Sequence, residues 1–155
     1  MAESTSYVTF MISTELYGIN IMNVREVVQL CEIRPIPNAP KFVDGVINLR
    51  GEIIPVVDLG KRFNFKSRSF TEEEELLRGI IVLNMNELII GIIIDQIKRV
   101  VTIEQDQIQP PPQVVSGVGA EFVQGVVKIE NEENFLIILN EGKLFNKEEL
   151  LQFSV

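Results

Sequence analysis

Apolar residues along this chain come in short runs broken by single turn residues, a spacing that suits strands better than helices. Tyr7–Ser13 (YVTFMIS) and Leu16–Ile21 (LYGINI) flank a turn at Thr14-Glu15 and read as a hairpin. Val24, Val27 and Val28 within Asn23–Gln29 fit one helical turn or another strand equally well. Ile33-Arg34-Pro35-Ile36-Pro37 is extended because its prolines exclude regular structure, and Pro40–Val43 suits the start of one short helical turn. Gly45–Asp58 (GVINLRGEIIPVVD) predicts a second hairpin with its turn at Arg50-Gly51-Glu52, where Gly51 supplies the unusual dihedrals. Pro55 cannot donate a ladder hydrogen bond, so its strand is expected to begin there or lie at an edge.

Lys61–Glu75 is polar and charged, the best candidate for a mobile connection. Within it Thr71-Glu72-Glu73-Glu74 matches a capping box and predicts a short helix. Gly79–Asn84 and Leu88–Asp95, separated by Met85-Asn86, form another hairpin, and Phe135–Asn140 reads as the closing strand. Asn146–Leu151 suits a capped terminal helix, over about 146–153, covering a barrel end through Leu150, Leu151 and Phe153.

The second half repeats the first. Tyr17-Gly18-Ile19 and Val24–Val28 fall on Ile90-Gly91-Ile92 and Ile97–Val101. Ile33–Pro37 falls on Ile108–Pro112, and Phe42-Val43-Asp44-Gly45-Val46 on Phe122-Val123-Gln124-Gly125-Val126. Gly91 follows Gly18 by 73 residues, Ile108 follows Ile33 by 75, and Gly125 follows Gly45 by 80, so three landmarks recur in one order. Each half offers about five short strands, which suits a small barrel. The expectation is a mainly β chain, a single 155-residue domain whose two barrels, over roughly 7–66 and 78–145, share one core.

One charge pattern changes sides between the halves. Glu26 lies eight residues after Gly18 and Arg50 five after Gly45; their counterparts are Arg99 and Glu130. If these positions face each other in each barrel, each holds an ion pair of opposite polarity. Arg50, a cation at the tip of an apolar hairpin, then fits a docking element, although an ordinary solvated turn fits the hairpin too.

Composition narrows the chemistry. The formal net charge of −8 argues against nucleic acid or anionic lipid as a partner. The chain has no histidine, which removes the commonest general base and most zinc geometries. Cys31, the only cysteine, allows no intrachain disulfide and points to a cytosolic address; its expected role is a small apolar strand residue. The amino terminus lacks the pattern of a secretion signal, and the longest apolar run, Leu88–Ile94, is too short to span a bilayer. Asp58 and Asp95 end apolar strands, where turn or cap roles outweigh acid–base catalysis, and Glu72–Glu75 reads as a solvated face.

The motifs are specific enough to resemble a family. Tyr17-Gly18-Ile19, Val24-Arg25-Glu26-Val27, and Gly45–Gly51 running into Ile54-Pro55-Val56-Val57-Asp58-Leu59 are similar to the CheW family, the adaptors of bacterial chemotaxis arrays. Val82-Leu83-Asn84, Gly91–Asp95, Ile108-Gln109-Pro110 and the Gly125 strand extend the likeness over nearly the whole chain. The resemblance implies two intertwined five-stranded SH3-like barrels, no catalytic activity, and no cofactor or metal. It implies a bridge between the cytoplasmic tip of a chemoreceptor and the regulatory domain of the histidine kinase CheA, in the cytoplasm at membrane-associated arrays. By position, a receptor groove between the barrels draws on Ile21, Val24, Glu26, Gly45, Asn48, Arg50, Ile97 and Val100, and a kinase contact on Gln109 and Val114. Two alternatives stand beside it: a detached piece of a larger relative, disfavoured by the ending at Val155, and a small-molecule-binding barrel or carboxylate enzyme.

Overall fold

The structure, a computed structural model, describes residues 3–39, 43–63, 65, 69–85, 88–111, 120–129 and 135–144. Its elements run β1 (Ser4–Ile12), β2 (Glu15–Asn20), β3 (Val24–Gln29), β4 (Val43–Leu49), β5 (Glu52–Asp58), α1 (Leu59–Arg62) and α2 (Glu72–Leu77). The second half continues with β6 (Gly79–Met85), β7 (Leu88–Ile94), β8 (Gln96–Glu104), β9 (Val123–Lys128), β10 (Phe135–Leu139) and α3 (Glu141–Leu144). Two five-stranded sheets result, ordered β8-β1-β2-β10-β9 and β3-β6-β7-β5-β4.

The duplication is visible in the pairing plan. β1 through β5 correspond in order to β6 through β10, so β1–β2 matches β6–β7, and the parallel pair β2–β10 matches β7–β5. Each sheet closes by the same device. Arg34 and Val46 exchange backbone hydrogen bonds of 2.9 Å, and so do Gln109 and Val126, joining the outer strands of each sheet into a barrel.

The halves exchange strands, which corrects the boundaries 7–66 and 78–145. β1 and β2 lie with β8–β10, while β6 and β7 lie with β3–β5. The physical reason is visible in Ile80–Leu83. Ile80 and Val82 face the interior of one barrel while Ile81 and Leu83 face the core between the sheets. A strand buried on both faces shows a continuous apolar run and no polar side. Phe10, Tyr17 and Ile137 of one sheet meet Val57, Ile92 and Ile94 of the other in that shared core. Tyr7, Leu16, Leu136 and Ile138 fill one barrel, and Ile47, Ile54, Val56 and Ile93 the other. Each such buried side chain stabilises the fold by about 1.5–3 kcal/mol. Stability therefore rests on these layers, and the rim charges are available for other work.

Several local expectations change. Within Asn23–Gln29, Val24–Gln29 forms strand β3 while Asn23 ends a short 3-10 turn, and the capping box forms, with Thr71 Oγ1 accepting from Glu74 N at 3.1 Å and Glu74 Oε1 from Thr71 N at 2.9 Å. Cys31 is exposed and lies beyond β3, not within a strand. Pro55 sits inside β5, which has neighbours on both sides, because pairing with β7 begins only at Val56. Val46 directs its N–H and carbonyl toward Arg34, so Pro55 faces away from β4 with its missing donor, where β7 has not yet joined. The Lys61–Glu75 connection opens on α1, and Phe63 and Phe65 pack on the shared core. Of the turn expected at Pro40–Val43, residues 40–42 lie outside the described residues and Val43 opens β4, and the terminal helix at 146–153 lies outside them as well.

Candidate functional site

The β4–β5 hairpin closes in two residues, since Leu49 pairs with Glu52. Arg50 has φ +53° and Gly51 φ +88°, the two positive values that a tight hairpin turn of matching twist requires. Glycine takes such values freely; arginine does not, and a non-glycine residue held there often has a functional reason. Asn48 secures the turn, its Oδ1 accepting from Gly51 N at 2.9 Å.

The guanidinium of Arg50 reaches across the barrel closure to β3. Its Nη2 donates to Glu26 Oε1 at 2.7 Å and to Oε2 at 2.6 Å. A second link runs beside the first: Arg25 Nη1 lies 2.8 Å from Glu52 Oε1, and Arg25 Nε 3.8 Å from Glu26 Oε2. The two pairs strap the hairpin tip to β3. The hydrogen bond from Arg50, aided by the charges of Arg50 and Arg25 and opposed by desolvation, holds the Glu26 carboxyl below the usual carboxylate range. The same contact raises the pKa of Arg50, so both groups stay ionised. Arg50 remains 65% exposed and Glu26 24%, which leaves the cation's outer face open to solvent. Ile53 and Val27 stand exposed on the same two elements, and Ile21 and Met22 just before β3.

The expected residues lie on both sheets. Glu26, Asn48 and Arg50 come together at the hairpin tip, and Val24 lies two residues along β3. Gly45 is buried and takes φ +148°, and a Cβ there would run into the Arg34 carbonyl. Its place is the backbone closure of the barrel, beneath the exposed hairpin tip. Ile97 and Val100 lie exposed on β8 of the other sheet, as the counterparts of Val24 and Val27. Arg99, the counterpart of Glu26, is held through its backbone: Thr9 Oγ1 donates to its carbonyl at 2.6 Å and accepts from its N–H at 3.1 Å. Glu130 and Val114 lie outside the described residues, and Gln109 is exposed where it bridges to Val126.

Asp58 and Asp95 are structural. Asp58 caps α1, its Oδ1 accepting from Lys61 N at 3.3 Å, and Asp95 Oδ2 accepts from Ser13 N at 2.7 Å. Sequence reasoning missed Arg25, Glu52 and Met22, although Arg25 adjoins Glu26 and Glu52 lies two residues after Arg50. It also missed Glu141, which the repeat places opposite Leu59.

Two closed barrels with filled interiors and a braced cation on the rim define a double-barrel protein whose distinctive chemistry lies on its surface. The comparisons agree with that description. The model of the CheW-like domain matches residues 6–149. The chain is 45% identical over 148 residues to a chemotaxis protein CheW of Treponema pallidum, covering 96% of this chain and 86% of that one. It is 32% identical over 144 residues to a chemotaxis protein CheW of Klebsiella aerogenes, covering 93% and 83%. The crystal structure of a scaffolding protein, TtCheW from Thermoanaerobacter tengcongensis, superposes with a TM-score of 0.82 at 35% identity, covering 96% of this chain and 92% of that one. The chain belongs to the CheW-like family.

Proposed function

We propose that this chain is a non-enzymatic adaptor of bacterial chemotaxis. It couples the cytoplasmic tip of a chemoreceptor to the regulatory domain of the histidine kinase CheA, in the cytoplasm at receptor arrays. The observation that carries the reading is the Glu26–Arg50 contact, a cation braced at 2.6–2.7 Å yet open to a partner on its outer side. Arginine among apolar neighbours is a frequent hot-spot composition at interfaces. Val24, Glu26, Asn48 and Arg50 form the core of the receptor surface, with Ile21 at its margin. Ile97 and Val100 offer the corresponding edge of the other sheet, and Gln109 and Val114 belong to the kinase contact. Among the described residues, no helix is long and apolar enough to cross a membrane, in keeping with an address reached through partners.

The ligand-binding alternative is the weaker one, because side chains fill both barrel interiors. Pull-down with a receptor cytoplasmic fragment separates the two readings. The adaptor retains the fragment and loses it with Arg50→Ala; a ligand-binding barrel retains nothing in either form.

A further inference from the structure

Because the two halves share one pairing plan, a position where they differ in kind stands out. The turn after β5, Asp58-Leu59-Gly60-Lys61, matches the turn after β10, Asn140-Glu141-Gly142-Lys143. Leu59 is wholly buried in the shared core, and Glu141 is buried too, at 7% exposure. A carboxyl group thus stands where the repeat has a leucine. Burial pushes its pKa up, opposed by hydrogen bonds from its own backbone N–H, the Asn20 N–H and the Asn23 side chain. A buried carboxyl without such bonds is strongly unfavourable, so these contacts are what the site provides for it. The shortest is from Asn20 N to Glu141 Oε1, at 2.6 Å, spanning 121 residues of sequence.

The far end of that bond is where the halves diverge a second time. By the repeat, Asn20-Ile21-Met22-Asn23 matches Ile93-Ile94-Asp95-Gln96. In the second half Ile94 is fully buried and Asp95 folds back onto Ser13. In the first half Ile21–Asn23 forms a 3-10 turn, its start held by Glu141 and by Asn20 Oδ1 accepting from Met22 N at 2.9 Å. The result is that Ile21 is 40% exposed and Met22 84% exposed, immediately before the strand that carries Glu26.

The geometry points to Glu141 as a positioning residue that sets this turn so that Ile21 and Met22 extend the receptor surface. The occupant is the helical tip of the receptor, because the turn is continuous in sequence with Val24 and Glu26. Methionine suits such an edge, since its unbranched side chain adapts to an irregular apolar partner. The inference rests on the adaptor reading and adds to it the device that displays the turn.

The test uses the full chain with Glu141→Leu, which restores the repeat's leucine, Glu141→Gln, which keeps the acceptor without the charge, Met22→Ala and Arg50→Ala. Receptor fragment and kinase regulatory domain are titrated separately, and the Met22 methyl resonance reports the turn. Glu141→Leu is expected to move that resonance and weaken the receptor fragment about ten-fold while kinase affinity holds, with Glu141→Gln restoring both. Met22→Ala, which removes an exposed side chain, gives the same loss even if the leucine variant fails to fold. Receptor and kinase affinities falling together in a folded Glu141→Leu, or full receptor binding by that variant whether or not the methyl resonance moves, overturns the inference. Loss with Arg50→Ala but not with Met22→Ala overturns this inference alone; full binding by Arg50→Ala overturns the adaptor surface itself.

Discussion

Arg50 and Glu26 meet across the closure of one barrel, the guanidinium Nη2 lying 2.7 and 2.6 Å from the two carboxylate oxygens. Neither residue belongs to the packed core, and the hairpin that carries Arg50 is held by its own ladder. An exposed ion pair adds little to stability. Arg50→Ala is therefore expected to keep the fold, with Tm within about 4 °C of the parent by calorimetry. Affinity for a receptor fragment should nonetheless fall by about thirty-fold or more.

The protonation of Glu26 gives an independent reading of the same contact. Its folded pKa lies below the ordinary value because Arg50 binds the charged form. The contribution is thus present above the unfolded-state pKa and lost as pH falls through the lower folded value. A carboxyl carbon titration by NMR should place the Glu26 midpoint below 4.5, the ordinary value, and Arg50→Ala should return it toward that value.

Glu141 is expected to show the opposite sign. Burial raises its folded pKa, so the folded state holds the proton more tightly than the unfolded chain. Its contribution is present below the unfolded-state pKa and is lost as pH rises through the folded value. Glu141→Gln removes that titration. Tm measured from pH 4 to 8 should therefore favour the glutamine variant progressively over the parent toward neutral pH.

Gly45 tests the backbone closure. A methyl group there overlaps the Arg34 carbonyl, and φ +148° strains any side chain. Gly45→Ala should cost about 3 kcal/mol in urea denaturation, in the range of other strained backbone sites. Gly125, its counterpart, has a Cβ position 2.8 Å from the Gln109 carbonyl, so Gly125→Ala should also destabilise.

Much of this architecture is legible in the sequence because duplication leaves paired landmarks. Gly45 and Gly125 recur because both closures bring one backbone against another, and the Glu26–Arg50 pair follows from aligning the halves. The strand exchange is legible only through the family resemblance, which implies intertwined barrels, and not from the pattern of residues. Ile80–Leu83 shows that both faces of β6 are buried, but an apolar run does not say against which neighbour. Pro55 was misplaced for a related reason, since a residue's type does not reveal where along a strand a neighbour joins, and Cys31 because its type does not reveal where β3 ends. Glu141 was legible and passed over, since its alignment with Leu59 signals a buried carboxyl only once Leu59 is known to be core.

The most direct test is ternary co-sedimentation of receptor cytoplasmic fragment, kinase and this chain. The parent should carry the kinase into the pellet, and a folded Arg50→Ala protein should leave it in the supernatant. Pelleting of the kinase by Arg50→Ala at the parental level would contradict the central claim, that the cation braced by Glu26 is where the receptor docks.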